Sequence, residues 1–333
     1  MLVRELTDGC DIDQVLLVRA VEVGCKRDGR EFLKLDLGDR SGVVSAMIWD
    51  GVAELQPHVR AGVPVRVIGR FDDHPRYGAQ ITVRALRRPA EGSFDLADLL
   101  DGPPRGAEAM EGELRALVAT VRDPHLAQLL DRLIGPGART WPAFRDAPAA
   151  KLYHQAYRHG LLEHSLTVGQ AVHAMSATFP GIDHDVAVTG ALLHDIGKLE
   201  AYASDGLRIE MTDAGRLQGE IVLGYTRVRR MIESIDGFPA DRAEALLHII
   251  LSHHGTLEHG SPVVPCTREA TLVHFVDNLG GRLGSFDRLQ KELSDGERWS
   301  GYDRALGCGA YFPAGRDAPA PVSAPVLPDV AAA

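Results

Sequence analysis

Eleven of the chain's 14 histidines fall between His154 and His274, and several stand beside carboxylates at the ends of apolar runs. Imidazole and carboxylate both bind divalent cations, and neither is readily buried without a partner. In GLLEHSLTVGQAVHAM (160–175), Leu161, Val168, Ala171, Val172 and Met175 form a helical stripe that includes His164. A single histidine so placed is more often a hydrogen-bonded core residue than a ligand. ALLHDIGKL (191–199) sets His194 and Asp195 directly after an apolar run, where charged residues are rarely found unless paired or metal-bound. AEALLHIILSHHG (243–255) ends an apolar helix with His253 and His254, and Gly255 reads as its C-cap. Here His254 continues the stripe Ala243, Leu247, Ile250, Leu251. TLVHFVDNLGGRL (271–283) sets Asp277 beside Val276 in an amphipathic helix. Four helices that each bury an imidazole or a carboxylate are costly to fold unless those groups compensate one another or share a cation.

A mixed His/Asp set without thiolates suits Mn²⁺, Fe or Mg²⁺ better than structural zinc. Open positions on such an ion favour hydrolysis. Lys198, one helical turn past Asp195, has two readings, a cation for a phosphate oxygen or a surface lysine ending a helix.

The elements that must hold these groups fall into two halves of a chain of 333 residues, 45% hydrophobic and 25% charged, which is ordinary globular composition. Residues 12–88 read as strands. Leu33, Leu35 and Leu37 alternate with Phe32, Lys34 and Asp36; Val63, Val65 and Val67 with Pro64, Arg66 and Ile68; Ile81, Val83 and Ala85 with Gln80, Thr82 and Arg84. With a first strand near Val15–Val23, a strand at 43–49 and a short helix at 50–62, the order is that of a five-stranded OB barrel. The expected fold is therefore multidomain α and β: an OB barrel over residues 1–95, a linker at 96–110 and an all-α bundle over 111–312. The bundle reads as helical but for a hairpin around Asp205–Thr212. The tail 313–333 holds five Pro and seven Ala and reads as disordered.

Net charge is −10, so the chain as a whole is no polycation. Between Arg60 and Arg88, however, seven arginines face two acids. The alternation puts Arg66, Arg70, Thr82 and Arg84 on the outer face, with Phe32 and Lys34 on the matching face of the second strand and Trp49 and Tyr77 nearby. Cations beside rings suit a single-strand groove, where charge follows the backbone and rings stack on bases; a solvated sheet face is the plainer reading. No apolar run approaches the roughly 20 residues of a membrane helix. The acidic opening MLVRELTDGCDID does not read as a signal peptide, and four scattered cysteines fit a reducing compartment, so the expected location is the cytoplasm.

The order His164…His194-Asp195…Asp277 resembles the HD-domain metal-dependent phosphohydrolases. The resemblance sharpens in HQAYRHGLLEHSL (154–166), LLHDIGKLEAY (192–202), TDAGRLQGEIVLG (212–224), ILSHHGTLEHGSP (250–262) and HFVDNLGGRL (274–283). With an OB-like domain in front, the chain is similar to the YhaM-type 3′→5′ exoribonucleases. That resemblance implies Mn²⁺-favouring release of nucleoside 5′-monophosphates from single-stranded RNA, and from single-stranded DNA as a further substrate. It implies two ions, with Mg²⁺, Fe or Co²⁺ as alternatives. His164, His194 and Asp277 would hold the first, His253, His254 and Glu220 the second, and Asp195 would bridge them. Three positions depart from the family pattern. Glu220 replaces the histidine of a usual Gly-His-Ile, His159 stands where glycine is usual, and Gln155 stands where a second histidine often follows His154. Other readings remain: a nucleotide or cyclic-dinucleotide phosphohydrolase, or a nucleic-acid binder with an inactive HD half. A homo-oligomer is also open.

Overall fold

The computed structural model describes residues 1–313 apart from 27–28, 75–77, 91, 101, 104, 151–154, 205–208 and 294–295. Five strands come first: β1 (Asp11–Cys25), β2 (Glu31–Asp39), β3 (Gly42–Ile48), β4 (Pro64–His74) and β5 (Gly78–Arg87), with α1 (Val52–Leu55) between β3 and β4. They close into a barrel of order β1-β2-β3-β5-β4, in which β3 and β5 are parallel and every other pair antiparallel. This is the OB order that the alternation implies. Leu33, Leu35 and Leu37 are fully buried and pair with Ile48, Ala46 and Val44, so one face of each strand fills the barrel. A slip of one residue would turn Phe32, Lys34 and Asp36 inward, which fixes the register. Closure leaves no free edge. Next, α2 (Leu96–Leu99) lies on β1 and β2, with Leu99 buried. There the Arg19 guanidinium donates to the Leu99 carbonyl at 3.0 Å and the Arg40 amide to that of Asp98 at 3.0 Å.

The second half is helical: α3 (Ala107–Val118), α4 (Pro124–Ile134), α5 (Trp141–Asp146), α6 (Gly160–Ser176), α7 (His184–Leu193), α8 (Lys198–Ala201), α9 (Asp213–Glu233), α10 (Ala240–Ser252) and α11 (Arg268–Glu292). Starts are written into the sequence. Asp123 accepts from the amides of His125 and Leu126 ahead of α4, and Asp183 from that of Val186 at the start of α7. All of Val186–Leu193 is buried, so α7 is the axis on which α6, α10 and α11 pack. Leu126, Leu129, Leu130 and Leu133 bury one side of α4 completely, at roughly 1.5–3 kcal/mol each.

Two hairpins interrupt the helices. β6 (Tyr202–Ser204) pairs with β7 (Ile209–Met211), flanking the hairpin expected around Asp205–Thr212. The second, β8 (Trp299–Asp303) with β9 (Cys308–Tyr311), corrects the reading of 111–312 as helical but for one hairpin. A bulge and three glycines break the alternation that would reveal it. The tail after residue 313 lies outside the described residues.

Candidate metal centre

Each site residue comes from the end or the inner face of a helix. The buried inner face of α6 carries His164, and α7 ends at His194, with Asp195 in the turn that follows. α10 ends at Ser252, so His253 and His254 occupy the turn closed by the Gly255 amide on the Ser252 carbonyl at 2.8 Å. α11 supplies Asp277. Glu220 needs a special backbone. Gly219 interrupts α9 at φ 75°, ψ 153°, a region open essentially to glycine alone, and the helix restarts at Glu220. The α7–α8 turn lies tight against this restart: a Cβ on Gly197 would sit 2.0 Å from the Glu220 carbonyl oxygen and 2.5 Å from the Gly224 nitrogen.

The ligand atoms converge. His164 Nε2 lies 3.1 Å from His194 Nε2, 3.2 Å from Asp195 Oδ2 and 3.1 Å from Asp277 Oδ1. His253 Nε2 lies 3.6 Å from Asp195 Oδ1. Two triads, His164/His194/Asp277 and His194/Asp195/His253, each bring ligand atoms within 4.8 Å of one another.

The far sides of the rings fix the tautomers. Nδ1 of His194, His253 and His254 meets the carbonyls of Ala191 (2.7 Å), Ile250 (2.8 Å) and His259 (2.9 Å), and Nδ1 of His164 meets Gln155 Oε1 at 3.0 Å. These oxygens only accept, so each Nδ1 carries the proton, and a neutral ring turns its Nε2 lone pair inward. Two such lone pairs 3.1 Å apart repel unless a proton or cation attends them. His253 Nε2 and Asp195 Oδ1 are buried without a hydrogen-bond partner among the described residues. Orphaned buried donor atoms and opposed lone pairs are what a divalent cation would satisfy, so the residues fit one.

Without a metal, a proton serves in its place. Burial pushes His164 down, but hydrogen bonds to Asp195 and Asp277 and their charges outweigh it and raise its pKa to about 9. Burial pushes Asp195 up, yet the Lys198 charge and the facing imidazoles hold it well below the usual carboxylate range. Asp277 is likewise held low, against its burial, by its His164 hydrogen bond and the His194 ring. Both carboxylates are thus ionised at neutral pH.

The surface reading of Lys198 does not hold, and its partner is Asp195. Its ammonium is 2.5 Å from Asp195 Oδ2 and its side chain only 14% exposed, so it is no surface residue. His253 rather than His254 is the inward-facing imidazole. His253 is 1% exposed and His254 27%, although the stripe pointed His254 inward, because the helix ends before either residue. His254 Nε2 faces Glu220 Oε1 at 3.8 Å, and burial together with His253 lowers the His254 pKa. His159, at φ 69°, holds a left-handed conformation that suits glycine. His154 lies outside the described residues.

A cleft of about 260 Å³ opens over the cluster, lined by His253, His254, His259, His274, Asp277 and Asn278. Sequence reasoning did not single out His259, His274 or Asn278, although each stands within five residues of a residue it did. Nor did it assign Gln155 the hydrogen bond it makes to His164.

On the barrel, Phe32 and Trp49 pack as tilted rings with centroids 5.2 Å apart, and Lys26 lies 5.4 Å over Trp49. The register carries one outer row across Lys34, Met47, Thr82 and Arg70. Arginines and acids pair there: Arg66 with Asp13 (2.7 and 2.9 Å), Arg84 with Asp11 (3.2 Å) and Arg70 with Asp72 (3.2 Å), while Lys34 stands 3.8 Å from Glu22. The excess positive charge of this face is therefore largely balanced. Tyr77 lies outside the described residues.

These features can be set beside known proteins. Residues 161–281 match the HD domain. Residues 161–281 of the helical half form an HD domain. Over 290 residues the chain is 29% identical to the 3′-5′ exoribonuclease YhaM of Bacillus velezensis and 28% to that of Bacillus subtilis, covering 87% of this chain and 90% of each relative. The YhaM of a Geobacillus species is 28% identical, with 87% and 88% covered. The second OB-fold domain of replication protein A from Methanococcus maripaludis covers 28% of this chain and 98% of its own at 21% identity and a TM-score of 0.23, so the barrel assignment rests on strand order. All five converging residues belong to the HD domain.

Proposed function

We propose that this chain is a metal-dependent 3′→5′ exoribonuclease that releases nucleoside 5′-monophosphates from single-stranded RNA, with single-stranded DNA as a further substrate. The observation that carries this is the convergence of His164, His194, Asp195, His253 and Asp277 in two adjoining triads, in the HD domain of a chain whose relatives are named 3′-5′ exoribonuclease YhaM. Two divalent ions fit the reading, Mn²⁺ ahead of Mg²⁺, Fe and Co²⁺. His164, His194 and Asp277 would hold one, His253, His254 and Glu220 the other, with Asp195 between them. Bound there, the ions supply Lewis-acid chemistry for in-line hydrolysis of a phosphodiester.

The residues around them do the rest. Lys198 holds Asp195 in place and offsets its charge. The Ala191 and Ile250 carbonyls keep two imidazoles aimed inward. Residues 1–95 would hold the strand, stacking bases on Phe32 and Trp49 and drawing the backbone along Lys34, Arg66, Arg70 and Arg84. Residues 96–110 would join them to the hydrolytic unit at 111–312, and the protein would work in the cytoplasm. No helix among the described residues is long and apolar enough to cross a membrane.

Metal-loaded protein incubated with 5′-labelled single-stranded RNA tests this. A ladder that shortens from the 3′ end with mononucleotide release is expected. One observation favours a second reading, hydrolysis of small nucleotides: the barrel arginines already have carboxylate partners. Cleavage of free nucleotides with long RNA left intact would select it.

A further inference from the structure

The β8–β9 hairpin presents a set of groups that the metal centre does not use. Trp299 pairs with Tyr311 and Tyr302 with Gly309, with one extra residue on β8 between the two pairs. In a regular strand, residues three apart point to opposite faces; here the bulge restores Trp299 and Tyr302 to the same face. All three rings therefore share the outer face, exposed by 63% (Trp299), 74% (Tyr302) and 42% (Tyr311). Trp299 and Tyr311 lie 5.0 Å apart, and the Arg298 guanidinium sits 5.0 Å over Tyr311.

The inner face is anchored. Leu306 and Ala310 pack on Leu289 of α11, Arg288 pairs with Asp303 at 2.5 Å, and Arg282 donates to the Leu306 carbonyl at 3.1 Å. The same helix supplies Asp277, eleven residues or about 17 Å upstream of Arg288.

We infer that this face is a second platform for single-stranded RNA, separate from the barrel, on which bases stack on Trp299, Tyr302 and Tyr311 while Arg298 and Arg304 meet the backbone. The inference rests on the exoribonuclease reading. Charge and composition choose RNA over a protein partner. Arg298 and Arg304 have no carboxylate partner among the described residues, unlike Arg66, Arg70 and Arg84 on the barrel. The hairpin's one large aliphatic side chain, Leu306, is turned inward, so the outer face carries three rings beside the Arg298 guanidinium, with Arg304 exposed in the turn. That combination stacks on bases and follows phosphates.

The test uses full-length protein held in chelator so that RNA stays intact, with fluorescent oligouridylate as the probe and anisotropy as the readout. Trp299→Leu and Tyr302→Leu keep apolar area but lose the ring, and each should weaken binding by about fivefold or more. Arg298→Gln with Arg304→Gln leaves the packed inner face untouched and so tests the platform even where a ring variant disturbs the hairpin. It should weaken binding and reduce the log–log salt slope by roughly 0.7 for each phosphate no longer neutralised. Crosslinks from 5-iodouridine should map to 299–311. Unchanged affinity and salt slope in all variants, with wild type still binding and degrading RNA, would overturn this inference alone. Variants that bind RNA normally but change the mass seen by light scattering would overturn it in favour of a protein interface. A wild-type protein that binds no RNA would overturn the exoribonuclease reading as well.

Discussion

Metal and proton compete for the same point, which makes pH the most direct perturbation of the cluster. In metal-free protein His164 takes up its proton with a pKa of about 9, because Asp195 and Asp277 face its Nε2 at 3.2 and 3.1 Å. A divalent ion held by Nε2 must displace that proton. Below pH 9, apparent affinity should therefore rise about tenfold per pH unit, or roughly a hundredfold between pH 6.5 and 8.5, each unit being about 1.4 kcal/mol. The sign for stability is opposite. The folded-state value lies above the ordinary 6.5, so the proton stabilises metal-free protein fully below pH 6.5, and that contribution fades as pH rises through about 9. The interval corresponds to a contribution on the order of 3 kcal/mol. Titrating Mn²⁺ calorimetrically in buffers of different ionisation enthalpy, from pH 6.5 to 8.5, measures affinity and proton release together. Melting with and without Mn²⁺ should show a metal-induced rise that grows with pH. A flat Kd with no proton released would refute this account of His164.

Other expected outcomes follow from single contacts. Glu220→His exchanges a hard oxygen for imidazole opposite His254 and should move metal preference from Mg²⁺ and Mn²⁺ toward later first-row ions; identical stoichiometry and preference by elemental analysis would place Glu220 outside the coordination shell. Gly197→Ala drives a Cβ into the Glu220 carbonyl and should lower stability by about 1–3 kcal/mol in chemical denaturation, with loss of activity as α9 shifts; a variant as stable and active as wild type would contradict the packing. Phe32→Ala and Trp49→Ala should each weaken single-stranded RNA binding by about 1–3 kcal/mol in anisotropy titrations; equal affinities would remove these rings from the groove.

The barrel was legible because each strand repeats with a period of two, and Leu33, Leu35 and Leu37 leave one face to fill. His164, His194, Asp195 and Asp277 were legible because polar residues on apolar helical stripes need a reason to be there. What escaped depends on local backbone breaks or on distant partners. The end of α10 at Ser252 makes His253 the buried imidazole, which a continuous helical wheel cannot show. The break at Gly219 in α9 has no periodic signature. Arg66 meets Asp13 from 53 positions away, so sequence reveals the arginines but not their neutralisation. In β8 a bulge erased the alternation that identifies a strand.

Asp195 is the hub of the cluster, since its side chain lies against His164, His194, Lys198 and His253. The decisive measurement is Mn²⁺-dependent shortening of 5′-labelled single-stranded RNA by wild type and by Asp195→Ala at matched protein concentration, with binding followed in parallel. Wild type should release mononucleotides, whereas the variant should lose turnover and keep its RNA affinity nearly intact. Near wild-type hydrolysis by Asp195→Ala with Mn²⁺ would contradict this.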